Sequence, residues 1–565
     1  MQKLVECVPN ISEGRNESII RAVADVVETV ENVRLLDVDP GKSTNRTVIT
    51  FVGPPEQIGE AAFRLIKKAS ELIDMRKHRG EHPRMGATDV CPFVPVSGVT
   101  MEECTAIAHA LGERVGNELG IPGYFYEEAA KRPERRNLAY CRKGQYEGLA
   151  KIETQEGAPD FGPSQWNDFT KRSGATAIGA RDFLIAYNIN LNTTSSRRAN
   201  AIAFDIRESG RVKREGGAGS PIVKDSAGEP IRIPGSLKAV KGIGWYIEEY
   251  GIAQLSLNLT DIKVTPVHIA FDEACAKAQA RGIRVTGSEL VGLLPLRVLT
   301  DAADYFLRKQ SRSLGIGVME KVKIAVKSLG LDDLAPFDPN KRVIEFLISE
   351  PGQTPLLDMK LSEFAEETAS ESPAPGGGSV AAYSATMGIA LATMVANLSA
   401  HKRGWDDRWE EFSQVAERGM MLQNQLALLV DADTAAFNAI MEAYGLPKSN
   451  EEQKSKRSEA IQLATRNAID VPMQVARLAL ESMKVASEMA KKGNPNSITD
   501  AGVGAMAIRT GVKGAVLNAR VNLQDLKDAE YVQRIQAECI DLVEQVEALE
   551  LEVLAQVDRI LNGAS

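Results

Sequence analysis

The feature that most constrains the fold is a change of pattern near residue 334. Before that point, short β-rich runs alternate with amphipathic helical stretches, and after it the strand-like runs stop. Alternating strands and helices are typical of α/β layers, in which helices cover a sheet. Long helical stretches joined by short turns are typical of a bundle. The sequence therefore predicts a multidomain chain in which α/β sandwich domains precede an all-α helical bundle.

The pattern also predicts where the domains meet. A chain of 565 residues exceeds the roughly 250–300 residues at which one hydrophobic core stops growing. A Gly-, Pro- and Ser-rich stretch precedes a fresh strand at residues 181–193, and LAPFDPNKR carries two prolines, as linkers do. We predict α/β subdomains at 1–180 and 181–333, a linker at 334–341 and a helical domain at 342–565. The strand-like runs behind this prediction are 33–39, 47–53 and 183–193, and the helical ones are 19–30, 58–75 and 101–120.

Composition excludes several classes of protein. The net charge of −9 is not that of a nucleic-acid binder. Six scattered cysteines without C-x-x-C spacing indicate buried thiols in a reducing compartment, not a disulfide frame or a zinc site. The N-terminal residues MQKLVECVPNISEG lack the apolar core of a signal peptide. We therefore expect a cytoplasmic protein that binds no nucleic acid.

Residues 379–400 form the stretch that most resembles a membrane span. They contain no charged residue, and 22 residues are enough to cross a bilayer. However, seven of them are Ser, Thr, Asn or Tyr, set among many alanines. A helix buried inside a bundle explains this mixture better than a membrane span does. We expect no membrane association.

Two short motifs suggest sites that the local sequence does not support. DPGKSTNRT contains GKS, but Leu36 stands where a phosphate loop requires glycine, and a strand-like run follows instead of a helix. HRGEHPR, residues 78–84, matches the H-x-x-E-H zinc pattern, which needs a helix to bring both histidines to one face. Gly80 and Pro83 favour a loop there, so we expect no metal.

The same loop has a second interpretation, as a place for a catalytic histidine. Positive charge nearby disfavours the imidazolium form, so it keeps a histidine neutral and able to accept a proton. It would also attract a carboxylate-bearing substrate. Solvated surface charge remains the alternative interpretation of the cations. These cations are Arg76, Lys77, Arg79 and Arg84.

The segment PAPGGGSVAA opens the alanine-rich helix. Backbone amides at a helix start can bind an anion or an oxygen-rich ligand. A plain tight turn, with Ser379 as a helix cap, explains the same residues. The glycine run alone does not decide between these interpretations.

LLVDADTAAFNAIMEAY, residues 428–444, predicts a helix with an acidic residue on its apolar stripe. Asp433 lies on the stripe, whereas Asp431 points nearly the opposite way. Burial would raise the pKa of Asp433 and leave a proton available for acid–base chemistry. A buried aspartate held by a serine or a backbone amide is the alternative. The apolar members of the stripe are Leu426, Val430, Phe437, Ile440 and Tyr444.

Taken together, the ordered motifs resemble those of the formimidoyltransferase-cyclodeaminase family, bifunctional folate enzymes of histidine breakdown. The resemblance covers nearly the whole chain. The transferase motifs are LVECVPNISEG, LLDVDPGKSTNRTV, HRGEHPRMGATDVCPF, PDFGPS, GATAIGARDFLIAYNIN and GIGWYIEEY; LAPFDP resembles the linker, and APGGGSVAA and LVDAD resemble the cyclodeaminase. The family fold implies two similar α/β subdomains joined to an all-helical domain.

The resemblance implies two coupled reactions. The transferase moves the formimino group from N-formimino-L-glutamate to N5 of tetrahydrofolate and releases L-glutamate. The cyclodeaminase then closes the ring onto N10 and expels ammonia, which gives 5,10-methenyltetrahydrofolate. Family members assemble as dimers or rings of dimers and accept polyglutamylated folate.

The family's functional residues fall on identifiable positions. The transferase base falls on His82, and the acid–base aspartate of the cyclodeaminase falls on Asp433. Arg79 and Arg84 are candidate partners for substrate carboxylates, by charge alone. The remaining expected folate contacts are Gly162, Pro163, Ser164 and Arg172 in the transferase, and Gly376, Gly377, Gly378 and Ser379 as a wall of the cyclodeaminase pocket.

Two other functions stay open at this point. In one, the helical domain is only a folate-holding or oligomerising module, and the transferase alone is active. Alternatively, the chain could be a non-catalytic scaffold, although no polybasic tract or exposed apolar motif argues for that.

Overall fold

A computed structural model describes residues 3–42, 44–80, 83–216, 219–349, 354–372 and 374–563. The chain packs into two units. The first, the α/β unit, contains Met1–Ala302 and Val326–Ile348. The second, the helical unit, contains Ala303–Ala325 and Ser349–Ser565. The predicted domain boundaries stay predictions.

The first part of the α/β unit is a seven-stranded mixed sheet. Its strands are β1 (Leu4–Cys7), β2 (Asn10–Ile11), β3 (Arg34–Gly41), β4 (Arg46–Gly53), β5 (Thr88–Ser97), β6 (Gly123–Glu127) and β7 (Thr176–Ala180). β1 and β2 follow one another between β4 and β5, to which both pair in antiparallel fashion. β3 pairs with the other edge of β4, and β7 runs parallel to both β5 and β6.

Helices cover one face of this sheet because alternate strand residues are apolar. Val5, Cys7, Phe51 and Phe93 are fully buried in the core beneath them. Pro55 begins the longest of these helices, where a missing N–H costs nothing. The helices of this part are α1 (Glu17–Ala24), α2 (Pro55–Leu72), α3 (Met101–Arg114), α4 (Leu138–Cys141) and α5 (Asp168–Ser173).

The second part of the α/β unit is a four-stranded antiparallel sheet in the order β11-β12-β8-β13. A short β9–β10 ribbon lies outside it. The elements are β8 (Ile185–Leu191), α6 (Ser196–Ile206), β9 (Arg211–Val212), β10 (Arg232–Ile233), β11 (Val240–Ile247), β12 (Ile252–Leu259), α7 (Val267–Gln279) and β13 (Val285–Val291). Helices α6 and α7 pack on the sheet, so both parts are α/β layers, as predicted, although they differ in strand number.

The helical unit is built around five long helices. Along the chain, the long helices are preceded by α8 (Arg297–Lys309), α9 (Val318–Leu329), α10 (Ile344–Ile348) and α11 (Leu361–Thr368). Segment 303–325 packs with the bundle, where Leu314 N–H donates to Ser413 Oγ at 3.0 Å and Asn397 Nδ2 donates to the carbonyl oxygen of Gly315 at 2.8 Å. The long helices are α12 (Gly377–Ala400), α13 (Trp409–Gly445), α14 (Glu451–Lys492), α15 (Ile498–Asn522) and α16 (Ala529–Leu561).

Within the described residues, α12 is the one helix whose length and apolar composition would suffice to cross a membrane. It packs against α13, α14 and α15, and 61% of its most apolar window is buried. This packing supports its interpretation as the inner helix of a bundle. None of the six cysteines forms a disulfide; five of them are buried and Cys275 is half-buried.

Candidate functional site

The loop after α2 carries the histidine motif of the α/β unit. Residues 75–80 are turn and loop, not helix, which agrees with the effect expected of Gly80 and Pro83. His82, the predicted transferase base, lies outside the described residues. Its neighbour in the motif, His78, is described and buried.

Both ring nitrogens of His78 are engaged. Nε2 lies 2.8 Å from the carbonyl oxygen of Asn45, so Nε2 carries the proton. Nδ1 therefore accepts, and the donor is Arg84 Nε at 3.2 Å. Burial lowers the pKa of His78, and the positive charge of Arg84 adds to that effect. A neutral imidazole held in this way positions Arg84 and is not free to take a proton from a substrate.

Arg84, one of the two predicted carboxylate partners, is buried and already paired. Its guanidinium donates to Glu147 at 2.7 and 2.9 Å and to Gln145 Oε1 at 3.3 Å. The other predicted partner, Arg79, is exposed and donates from one nitrogen to the carbonyl oxygen of His78 at 2.7 Å. A substrate carboxylate would have to replace Glu147 at Arg84, whereas Arg79 has no carboxylate partner among the described residues.

A network of buried charged side chains lies next to the loop, and the sequence analysis did not predict it. Asp89 is fully buried, accepts Met85 N–H at 2.9 Å and pairs with Arg142. Arg46 donates to Asn10 Oδ1 at 2.7 Å, and burial lowers its pKa to about 10. The sequence does show several arginines next to the motifs, but their spacing does not indicate which side chain each arginine contacts.

The predicted folate stretch of the transferase starts at a tight turn. Gly162 has φ +77°, and a Cβ there would lie 2.3 Å from the carbonyl oxygen of Ile121. Pro163 is half-buried and Ser164 is exposed. Arg172 connects this stretch to the histidine loop, because its carbonyl oxygen accepts Met75 N–H at 2.9 Å. Their roles in folate binding stay predictions.

The helical unit has a cavity of about 170 Å³ at the start of α12. Asp433, on α13, lies in its wall. Of the four residues predicted to form its wall, Gly376 and Gly377 line the cavity, whereas Gly378 and Ser379 do not. Asn518 and Asn522 of α15 complete the wall, and the role of these residues in folate binding stays a prediction. The other lining residues are Ala374, Thr434, Ala436, Phe437, Ile440 and Ala468.

Asp433 caps α12 from a neighbouring helix. Gly376 precedes the first turn and has no side chain with which to cap it. Ser379 supplies its backbone N–H to Asp433, and its hydroxyl lies 3.3 Å from Asp433 Oδ2. Burial nevertheless raises the pKa of Asp433, and these hydrogen bonds oppose the rise only in part.

Gly378 is required for this arrangement. A Cβ on Gly378 would lie 2.1 Å from Asp433 Oδ1. The glycine run is therefore more than a flexible turn, because it lets the carboxylate reach the backbone amides of α12. Ser379 also donates to the carbonyl oxygen of Val430 at 2.8 Å, which fixes the two helices together.

The predicted apolar stripe on α13 is only partly right. Leu426 and Val430 are buried, but Phe437 and Tyr444 are 39% and 47% exposed. The apolar stripe is exposed after Asp433 because the C-terminal part of α13 extends beyond the core of the bundle. Asp431 turns away, as predicted, and its carboxylate accepts the N–H groups of Leu356 and Leu357.

No group of three or more His, Cys, Asp or Glu side chains with the arrangement of a metal site occurs within the described ranges. The Glu81 and His82 positions of the H-x-x-E-H pattern lie outside those ranges.

Comparisons with known proteins match three consecutive parts of the chain. Residues 4–181 match the N-terminal subdomain of the formiminotransferase domain, residues 186–349 the formiminotransferase domain, and residues 360–541 formiminotransferase-cyclodeaminase. Formimidoyltransferase-cyclodeaminase of Mus musculus is 43% identical over 563 residues, which cover 99% of each chain.

Two shorter relatives match parts of the chain. Glutamate formimidoyltransferase of Streptococcus pyogenes serotype M1 is 42% identical over 54% of this chain and 94% of its own. Methenyltetrahydrofolate cyclohydrolase of Methylorubrum extorquens is 36% identical over 36% of this chain and 97% of its own. The full-length match and the three consecutive family matches show that this chain belongs to the formimidoyltransferase-cyclodeaminase family.

Proposed function

We propose that the chain catalyses both reactions of its family. It transfers the formimino group of N-formimino-L-glutamate to N5 of tetrahydrofolate, and it then cyclises 5-formiminotetrahydrofolate to 5,10-methenyltetrahydrofolate with release of ammonia. The cyclodeaminase activity is supported by the position of Asp433, a carboxyl of raised pKa in the wall of a cavity that Gly376 and Gly377 also line. The full-length relatives support the transferase activity.

In the transferase step, N5 attacks the amidine carbon and must lose its proton. The nitrogen of glutamate then leaves and must gain one. His82 can do both in turn, as base and then as acid. The described part of that motif supports this role indirectly, because His78, bound to the carbonyl oxygen of Asn45, and Arg84, paired with Glu147, hold the loop in place. Arg79, exposed next to them, is our candidate for the substrate carboxylate.

In the cyclodeaminase step, N10 attacks the formimino carbon and ammonia departs. Ammonia leaves far more readily than amide ion, so the departing nitrogen must be protonated first. Asp433 in its acid form can donate that proton and can then take one from N10. Its raised pKa keeps the acid form populated closer to neutrality than that of an ordinary aspartate.

Paired substitutions test this proposal. His82→Ala should abolish formimino transfer, while the variant still cyclises supplied 5-formiminotetrahydrofolate. Asp433→Asn should do the reverse, since an amide cannot exchange the proton. Release of L-glutamate from N-formimino-L-glutamate measures transfer, and release of ammonia or methenyl absorbance from supplied 5-formiminotetrahydrofolate measures cyclisation. If both variants kept both activities, the residue assignments would be wrong.

The same pair distinguishes the alternative of a transferase with an inactive helical domain. In that case the unmodified protein would release no ammonia from 5-formiminotetrahydrofolate, and Asp433→Asn would change nothing. Folate titration addresses a pure scaffold, because a protein that does not bind folate gains no stability from it.

We further propose a cytoplasmic homo-oligomer, either a dimer or a ring of dimers, that uses polyglutamylated tetrahydrofolate in histidine degradation. Exposed apolar side chains on α12 and α15 support self-association, because patches of this kind commonly mark interfaces. They recur at helical spacings on each helix. They are Met387, Met394 and Leu398 on α12, and Val503, Met506, Leu517 and Val521 on α15.

A further inference from the structure

The α/β unit contains a second cavity, apart from the two sites above. It measures about 340 Å³ and lies within the segment that follows β6. Two tyrosines, Tyr124 and Tyr140, and two lysines, Lys143 and Lys151, line it together with Arg135 and Glu156. No role in either reaction uses these residues.

Positive charge exceeds negative charge among the residues that line this cavity. Arg135 is 2% exposed and paired with Asp160, so that guanidinium is neutralised. Lys151 is half-buried and donates to the carbonyl oxygens of Lys143 and Cys141 at 2.6 and 3.2 Å. It forms no ion pair with a carboxylate in the part of the chain that the structure describes. Its other contact is the ring of Tyr124, whose centroid lies 6.0 Å from Nζ. A partly buried ammonium without an anionic partner is a place where an anion is stabilised.

Two further features favour an anion here. Burial lowers the pKa of Lys151, and the positive charges of Arg135 and Lys143 add to that effect. Lys143 is exposed, so it adds a second positive charge at the cavity, against the one carboxylate of Glu156. The ring of Tyr124 also lines the cavity and packs against the guanidinium of Arg135, which lies 4.9 Å from its centroid.

The cavity also adjoins the transferase loop. Gly144 and Gly148 line it, and the turn between them carries Gln145 and Glu147, the residues that hold Arg84. The turn is tight, because Gly144 has φ +85° and a Cβ there would lie 3.2 Å from Gly148 Cα. A ligand against Lys151 would therefore contact the back of the turn that positions Arg84.

We propose that this cavity is a binding site for a small oxyanion, a carboxylate or a phosphate, whose charge is compensated by Lys151 and Lys143. It is separate from both proposed catalytic sites. Its occupant contacts the turn at Gly144 and Gly148 and not the reacting atoms.

Titration of the full-length protein with inorganic phosphate and, separately, with glutarate tests this proposal. Ionic strength is held constant with sodium chloride, and binding is followed by calorimetry. We expect saturable binding of at least one probe, weakened at least about tenfold by Lys151→Met, which keeps the aliphatic stem and removes the charge. Lys151→Arg should restore most of the affinity. Preference for phosphate or glutarate identifies which kind of oxyanion the site takes.

Two controls and one replacement variant make the result decisive. Lys67→Met removes an exposed lysine of α2 that does not line the cavity, so it should bind like the unmodified protein. Arg79→Gln should also bind the probe like the unmodified protein, because Arg79 does not line the cavity. If the probe were bound at the transferase loop, this substitution would remove its binding. If Lys151→Met fails to fold, Lys143→Gln replaces it, with a smaller expected loss. Binding that is absent, that is unaffected by either lysine substitution, or that is lost in Arg79→Gln would overturn the proposal.

Discussion

Gly378 and Asp433 lie so close together that neither can be enlarged without moving the other. A Cβ on Gly378 would lie 2.1 Å from one carboxylate oxygen and 2.4 Å from the carboxyl carbon. We expect Gly378→Ala to lower cyclodeaminase turnover by about 100-fold, because displacing a catalytic group by roughly 1 Å has an effect of that size. Formimino transfer should be unchanged. Gly445→Ala, at the open end of the same helix as Asp433, is the matched control. Equal turnover in the two variants would contradict this account of Gly378.

A second residue-scale prediction concerns Glu6, a carboxyl on β1 that is 4% exposed. Burial raises its pKa from 4.5 to about 7, against the opposing charge of Arg181. Because the folded state holds this proton more tightly, stability is lost as the pH rises from 4.5 through about 7. A shift of this size corresponds to about 3 kcal/mol at alkaline pH.

We therefore expect Glu6→Gln to be more stable than the unmodified protein at pH 8 and to lose that advantage near pH 4.5. Urea unfolding at a series of pH values, followed by circular dichroism, measures the difference. A constant offset between the two proteins across the whole range would show that Glu6 does not titrate as described.

At the scale of elements, α12 and α15 approach each other through glycines. A Cβ on Gly511 would lie 2.6 Å from Ala385 Cβ and 2.9 Å from the carbonyl oxygen of Ala381. We expect Gly511→Ala to destabilise the helical unit by about 1–3 kcal/mol through overpacking, although alanine favours a helix by about 1 kcal/mol.

The matched control is Gly59→Ala in α2, where the nearest atom to a new Cβ is 3.6 Å away. That variant should be neutral or slightly more stable. Thermal unfolding of both variants measures the difference, and a stabilised Gly511→Ala would mean that the two helices can separate freely.

Much of the element order could be predicted from periodicity. The strand-like runs at 47–53 and 183–193 correspond to β4 and β8, and the run at 58–75 corresponds to α2 with its start three residues earlier. The 101–120 stretch is helical up to Leu119, and its last five residues before Gly120, Val115–Leu119, form a π-helical turn. Periodicity identifies the element, whereas its ends depend on caps and tertiary contacts.

The candidate sites were predictable to different degrees. Asp433 stood out because a carboxylate on an apolar stripe is costly, and the structure places it at a cavity. The ion pair of Arg84 with Glu147 joins residues 63 positions apart. No local pattern carries that information, so the engagement of Arg84 could not be derived from the sequence.

At the scale of the whole molecule, segment 303–325 precedes the predicted linker but packs with the helical unit. Leu314 is 2% exposed there, and the segment makes hydrogen bonds to Ser413 and Asn397. We expect a fragment of residues 303–565 to be more stable than one of residues 342–565, by about 2 kcal/mol or more from the burial of one leucine and two hydrogen bonds.

Urea unfolding of the two fragments measures this difference. Asn397→Ala provides the control, because it should destabilise the longer fragment and leave the shorter one nearly unchanged. Equal midpoints for the two unsubstituted fragments would show that segment 303–325 adds nothing to the bundle.

The path of the chain between its two units has a consequence for how such proteins can be recombined. The polypeptide passes from one unit to the other at residues 302–303, 325–326 and 348–349. A chimaera with a single junction therefore contains at least one unit whose two stretches come from different parent proteins. Exchanging the bundle for that of a relative requires the replacement of two separate stretches, so gene shuffling in which both units stay intact needs coordinated crossovers.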